Sequence, residues 1–95
     1  MEGWIRRGWD MLGIDCFLIM RKERSLIASS GDLVVRARIA YGNMGETAVD
    51  LGEFVSTSLQ TLKGKVSKAA RDHGYFPRSD WLPFEEEFPS EGETW

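Results

Sequence analysis

The sequence has almost none of the side chains on which thiol and metal chemistry depend. Cys16 is its only cysteine and His73 its only histidine, in a chain of 95 residues. One thiol cannot form an intrachain disulfide, and one thiol with one imidazole cannot complete a cysteine-based zinc site. We therefore expect no metal and no cofactor. The lack of disulfides is typical of a reducing compartment, which predicts an intracellular protein.

Long hydrophobic runs are also missing. The longest unbroken apolar run has five residues, from Cys16 to Met20. An export signal needs an apolar stretch of about 7–15 residues, and a membrane-spanning helix needs about 20. The sequence therefore predicts neither an export signal nor a contact with a membrane.

The residue arrangements that carry catalysis are absent as well. A nucleophile needs a base beside it and a third group that orients the base. Cys16 stands in an apolar run, where a thiol usually behaves as a small, inert hydrophobic side chain. Glu85, Glu86 and Glu87 are consecutive and point in different directions, whereas paired catalytic carboxylates are held at a fixed separation. We expect no catalytic residue and no enzymatic activity.

Proline is confined to the C-terminal part of the chain, and the net charge changes sign at the same place. The prolines are spaced six residues apart, at Pro77, Pro83 and Pro89. Residues 1–73 carry eleven Lys or Arg against nine Asp or Glu, and residues 74–95 carry one against six. This contrast predicts a compact α+β domain over residues 1–74 and an acidic, aromatic tail over residues 75–95. The tail is expected to dock on its own domain or on a second protomer.

Hydrophobic periodicity predicts a helix and three strands before residue 42. Over residues 1–13 the apolar side chains fall at steps of three and four, which predicts a short N-terminal helix. Residues 15–23 and 25–29 favour two short strands, although the first of these apolar runs can also form a buried helix. From Leu33 to Tyr41 apolar residues alternate with two arginines. This strand should bury its odd-numbered side chains and expose both arginines.

An apolar stripe then follows helical spacing over residues 47–73, which predicts a long amphipathic helix with Leu62 and Val66 in the core. Thr47 with Asp50 resembles an N-terminal capping pair. The predicted fold class is therefore α+β. It consists of a short N-terminal helix, a three-stranded antiparallel meander, a long C-terminal amphipathic helix and an acidic aromatic tail.

The predicted order of helix, three strands and helix resembles that of the double-stranded RNA-binding domain. The resemblance implies that the second helix contacts RNA phosphates. In that family the phosphate-binding lysines begin the second helix. Here the corresponding stretch, Glu46 to Glu53, is acidic, and the cations come late in the helix.

The cations late in the predicted helix support the second of two functional hypotheses. Four of them fall within nine residues, and the two arginines of the predicted strand add further positive charge. The alternative is a nucleic-acid-binding protein that uses Arg36, Arg38, Lys63, Lys65, Lys68 and Arg71.

The acidic aromatic tail supports the preferred hypothesis. Residues 79–88 mix bulky aromatic side chains with acids, a composition typical of segments that bind protein grooves. We expect a non-enzymatic protein-interaction or regulatory module that binds a protein partner through an exposed sheet face and the tail. The tail residues expected to bind the partner are Trp81, Leu82, Phe84, Phe88 and Trp95. A small sheet and four tryptophans also indicate a homodimer.

Overall fold

The structure, a computed structural model, describes residues 2–23, 32–42 and 47–85. These residues form an antiparallel sheet and one α-helix. In chain order the elements are β1 (Glu2–Trp9), β2 (Asp15–Glu23), β3 (Leu33–Ala40), β4 (Thr47–Ser56), α1 (Leu59–Asp72), β5 (Phe76–Pro77) and β6 (Leu82–Glu85).

The sheet is curled into a half-barrel, with its first four strands in the order β4-β3-β2-β1. Both short strands pair with the outer edge of β1, β5 beside its end and β6 beside its start. Between them, the Arg78 backbone N–H donates to the carbonyl oxygen of Arg7 at 2.9 Å. The Arg7 N–H in turn donates to the Ser79 hydroxyl at 3.0 Å. Because these bonds continue the ladder across the gap, residues 76–85 form one interrupted strand beside β1.

The core lies between one face of the curled sheet and α1. The helix buries Leu62, Val66 and Ala70 at a spacing of four residues, so the expected core position of Leu62 and Val66 is confirmed. Just after the helix, the Tyr75 hydroxyl donates to the carbonyl oxygen of Arg6 at 3.0 Å. The buried cluster consists of Cys16, Leu18, Met20, Val35, Ala37, Ile39, Leu62, Val66, Ala70 and Tyr75.

The N-terminal segment is a strand, so the predicted helix over residues 1–13 is wrong. β1 pairs with β2 along seven residue pairs. Both faces of β1 carry apolar side chains, since Trp4 packs against the core and Ile5 faces the other way. Ile5 and Trp9 are four residues apart, and Leu12 follows three residues later in the turn, so the segment as a whole imitates the helical period.

The predicted long helix over residues 47–73 is wrong in its first part, because Thr47–Ser56 is strand β4. Two irregularities in the pairing of β4 with β3 leave Ala48 and Leu51 without a directly opposite partner. Each irregularity resets the alternation of the strand, so its apolar residues recur at steps of three and four. Gly52 has a φ of +86°, which an α-helix does not accept.

The helix begins instead after Ser58. The Ser58 hydroxyl accepts the backbone N–H of Thr61 at 3.4 Å and so caps the first turn. The predicted capping pair, Thr47 with Asp50, lies in the strand. The actual helix, Leu59–Asp72, is 14 residues long.

The meander also differs from its prediction. The strands expected at residues 15–23 and from Leu33 to Tyr41 are confirmed as β2 and β3. The strand expected at residues 25–29 lies outside the described residues. Because β1 and β4 flank the confirmed pair, the meander has four strands and the predicted three-stranded one is wrong.

The register expected for β3 is largely confirmed. Val35, Ala37 and Ile39 are buried towards α1, and Arg36 is exposed on the opposite face. Arg38 lies on that same opposite face but is half-buried.

Candidate functional site

Asp10 fixes the turn between β1 and β2. Its side-chain Oδ1 accepts the backbone N–H of Leu12 at 2.8 Å and that of Ile14 at 2.9 Å. Its carbonyl oxygen accepts the N–H of Gly13 at 3.0 Å. Gly13 has a φ of +79°, which glycine adopts without strain. One residue thus satisfies several backbone donors of the turn and holds it in a single shape.

Tyr41, directly after β3, ties this turn to the next strand. Its hydroxyl donates to Asp10 Oδ2 at 2.7 Å. Hydrogen bonds from the Ile14 backbone and from the Tyr41 hydroxyl lower the pKa of the Asp10 carboxyl. The hydrogen bond to Asp10 is also the main reason why the pKa of Tyr41 is raised to about 12. At neutral pH the acceptor is therefore ionised and the donor protonated, which makes this hydrogen bond charge-assisted.

The fixed turn holds large apolar side chains in solvent. Met11, Leu12 and Ile14 are 76%, 82% and 51% exposed. Beside the turn lie Trp9 and Phe76, an exposed cross-strand pair of β1 and β5. We term these five residues the apolar tip. Single exposed apolar residues are normal on a protein surface, whereas a group of neighbours bordered by charge is typical of a protein contact.

Charged side chains border the apolar tip and position Trp9. The Arg78 guanidinium lies over the Trp9 ring, with its Cζ 4.7 Å from the ring centroid. Arg78 also donates to Asp15 Oδ1 at 2.6 Å, and Arg7 approaches the same carboxylate at 4.0 Å. These contacts restrict the Trp9 side chain before any partner binds.

A second candidate surface is a groove of about 420 Å³ between α1 and the segment that follows β5. Four of its lining residues are cations and none is an acid. We term it the basic groove. The lining residues that matter for its chemistry are Arg6, Lys63, Ser67, Lys68, Arg71 and Trp81.

Arg6 is the best fixed of these cations. Its Nε donates to the carbonyl oxygen of Ser79 at 2.6 Å, and its Nη1 donates to the Ser67 hydroxyl at 3.0 Å. The bonds orient the guanidinium plane without neutralising its charge. Within residues 2–23, 32–42 and 47–85, the ion pairs are made by other arginines, and no acid pairs with a cation of the basic groove.

Trp81 adds an aromatic ring to the same groove. The side chain is half-buried and packs against the core cluster. Its indole Nε1 is buried without a hydrogen-bond acceptor. Most buried indole donors have an acceptor, so the Trp81 donor is an exception among such groups.

The basic groove brings together three of the predicted nucleic-acid-binding residues, Lys63, Lys68 and Arg71. Lys65 does not line the groove, and its Nζ donates to the carbonyl oxygen of Val55 at 3.2 Å. The helix therefore presents its predicted cations in two directions.

The two predicted arginines of β3 lie away from that groove. Arg36 and Arg38 face the side of the sheet opposite α1, since Ala37 between them points into the core. Arg36 donates to Asp50 at 2.7 Å. The six predicted residues therefore do not form one surface.

Three of the five predicted partner-binding residues lie within the described part of the chain. Trp81 lines the basic groove, and Leu82 is exposed on β6. The backbone of Phe84 belongs to β6 as well. Phe88 and Trp95 lie outside the described residues.

The side chains of Cys16 and His73 differ in accessibility. Cys16 is buried, and desolvation raises the pKa of its thiol to about 11. His73 is exposed at the C-terminal cap of α1. The part of the chain that the structure describes holds no cluster of three or more His, Cys, Asp or Glu suited to a metal ion.

Sequence reasoning missed Arg6, Asp10 and the residues of the apolar tip. The signal was present in the stretch from Asp10 to Gly13, because an Asp followed closely by a Gly is typical of a tight turn. This turn was not predicted because residues 1–13 were assigned to a helix, and a helix would place Met11 on a different face from Trp9 and Leu12. Arg6 comes from the other end of the sequence and reaches the groove only through the pairing of β1 with the interrupted strand.

In the described ranges, α1 is the one helix, and it lacks the length and apolar character needed to span a bilayer. Comparisons of the chain with protein-family models, with curated proteins and with solved structures find no match.

Proposed function

We propose that the chain is a non-enzymatic protein-interaction module that contacts a protein partner through the apolar tip. The observation that carries the proposal is the Asp10 turn, which holds Met11, Leu12 and Ile14 exposed in a fixed shape. Binding costs free energy because side chains and loops must be ordered. A turn that is ordered in advance avoids much of this cost.

The surroundings of the tip have the anatomy of a protein interface. Such interfaces combine an apolar centre rich in aromatic and methionine side chains with a polar rim. Trp9, Met11 and Phe76 provide the centre, and Arg78 with Asp15 provides part of the rim. Tryptophan contributes disproportionately to binding energy, so Trp9 is the expected anchor.

The apolar tip is a better contact surface than the open face of the sheet. On the face turned away from α1, the side chains of Ile19, Val34 and Ala40 are buried. These three offer little apolar area to a partner, and the exposed aliphatic side chains on the described part of this face are Val55 and Leu82. The contribution expected from Phe88 and Trp95 stays a prediction.

The non-enzymatic part of the proposal rests on the state of the candidate nucleophile. Thiolate is the reactive form of cysteine, and burial keeps the Cys16 thiol protonated at neutral pH. The exposed His73 lies at the C-terminal cap of α1, away from the buried thiol.

Photo-cross-linking tests this proposal and identifies the partner in one experiment. Leu12 is replaced by a benzophenone amino acid in the full chain, and Thr57, exposed between β4 and α1, receives the same replacement as the control. In a lysate of the cells that make the protein, position 12 should give one discrete adduct that position 57 does not give. An adduct of twice the chain mass would identify a second copy as the partner.

Two results would contradict the proposal. One is that position 12 gives no adduct under illumination. The other is that positions 12 and 57 give the same set of adducts, because the capture would then not depend on the apolar tip.

A further inference from the structure

We propose that the basic groove is a binding site for single-stranded nucleic acid, with its cations on the phosphates and a base against Trp81. The site is separate from the apolar tip, so this inference does not depend on the protein contact proposed above. It follows from the charge, spacing and shape of the groove.

The charge of the groove points to an anionic ligand. Arg6, Lys63, Lys68 and Arg71 line it, and no carboxylate does. Lys68 and Arg71 are three residues apart on one helix face, where two like charges repel. An anion between them would remove that repulsion. The chain as a whole has a net charge of −3, so this concentration of positive charge is local.

The spacing of the cations suits an extended strand of phosphates. Lys63 and Arg71 are eight residues apart on α1, which corresponds to roughly 12 Å along the helix axis. The row follows the groove and does not converge on one point. A row of cations along a groove is the arrangement with which proteins track the backbone of a single strand.

Arg6 adds a contact of a different kind. Its bonds to Ser67 and Ser79 orient the guanidinium at the groove before a ligand arrives. A planar guanidinium binds two phosphate oxygens at once, whereas a lysine ammonium acts as a point charge.

The aromatic ring of Trp81 favours nucleic acid over an acidic protein segment as the ligand of the basic groove. Every base has a flat π-face, and an aromatic side chain in a basic groove is a stacking platform for bases. Unpaired bases are accessible to Trp81, but the bases of a duplex are stacked on each other inside it. A volume of about 420 Å³ lies in the usual range for ligand pockets, about 300–1,000 Å³.

The test is a fluorescence-anisotropy titration of a labelled single strand of about 12 nucleotides with the full chain. Three or four phosphate contacts predict a slope of about −2 to −3 for log affinity against log salt concentration. The affinity should therefore fall roughly 20- to 50-fold between about 50 and 200 mM salt.

Matched lysine variants locate the site. The double substitution Lys63→Gln and Lys68→Gln should weaken binding and reduce the size of the salt slope by about 1.4. Lys65→Gln removes one positive charge from the same helix but outside the groove, so it should leave both the affinity and the salt slope almost unchanged.

Competitors separate the ligand classes. Inorganic polyphosphate has the charge but no bases, and it should compete at least about tenfold more weakly than the unlabelled strand. Poly-glutamate should compete more weakly still. The proposal is overturned if the chain does not bind the strand at about 50 mM salt. It is also overturned if Lys65→Gln weakens binding as much as the double variant, or if either competitor matches the unlabelled strand.

Discussion

The substitution Leu62→Ala is expected to lower the free energy of unfolding by about 2–5 kcal/mol. Leu62 is completely buried in α1 and belongs to the cluster that joins the helix to the sheet. Alanine loses the transfer free energy of the missing atoms and leaves a cavity that the surroundings fill only in part. Small domains have total stabilities of about 5–15 kcal/mol, so this loss is large.

Urea denaturation followed by circular dichroism measures this loss, with Leu12→Ala as the matched control. Leu12 is 82% exposed, so its truncation should change stability by less than about 0.5 kcal/mol. Equal midpoints for Leu62→Ala and the wild-type chain would show that α1 does not pack on the sheet through this residue.

The substitution Gly8→Ala should also destabilise the fold, by about 1–3 kcal/mol or more. A Cβ atom at Gly8 would overlap the carbonyl oxygen of Phe76 and the ring of Tyr75. The Phe76 oxygen is backbone in the strand that pairs with β1, so it cannot move without disturbing that pairing. Overlap therefore forces the interrupted strand away from the sheet edge.

Substitution of a second glycine is the control, and it should change the stability in the opposite direction. Gly64 is exposed in α1, and a Cβ atom there would meet nothing within 4 Å. Alanine is a better helix former than glycine, so Gly64→Ala should stabilise the protein by up to about 1 kcal/mol. Thermal or urea unfolding of the two variants measures both effects. A Gly8→Ala variant as stable as the wild-type chain would contradict the close approach of Tyr75 to β1.

Sequence predicted an element well where the spacing of its apolar residues reflects a single buried face. In β3 the buried residues Val35, Ala37 and Ile39 alternate with Arg36 and Arg38, so this alternation identified both the strand and its register. In α1, Leu62 and Val66 lie on one buried stripe, and helical spacing placed them correctly. The cap at Ser58 was missed because the apolar stripe continued through it into β4.

Sequence predicted β1 and β4 wrongly because the spacing of their apolar residues does not reflect a single buried face. In β1 both faces carry apolar residues, and in β4 two irregularities shift the alternation. The step of four from Ile5 to Trp9 in β1 is followed by a step of three to Leu12 in the turn, and the apolar residues of β4 recur at steps of three and four. Periodicity alone cannot distinguish this pattern from a helix, because strand pairing is decided by residues distant in sequence.

The candidate surfaces were predicted less completely than the fold. Cations at positions 63, 68 and 71 follow from helical spacing, so sequence placed them on one helix. Arg6 joins them only through strand pairing. The apolar tip was not predicted, because sequence reasoning assigns large apolar residues to the core and those of the tip are exposed.

The most direct test of the account is the affinity of the cross-linked partner for the Leu12→Ser variant. If the apolar tip is the contact surface, this variant should bind about 30-fold more weakly than the wild-type chain, equivalent to about 2 kcal/mol. Val55→Ser is the control, because Val55 is another exposed aliphatic residue, 47% exposed on β4. It should bind like the wild-type chain. An unchanged affinity for Leu12→Ser, or equal losses for both variants, would contradict the role of the apolar tip.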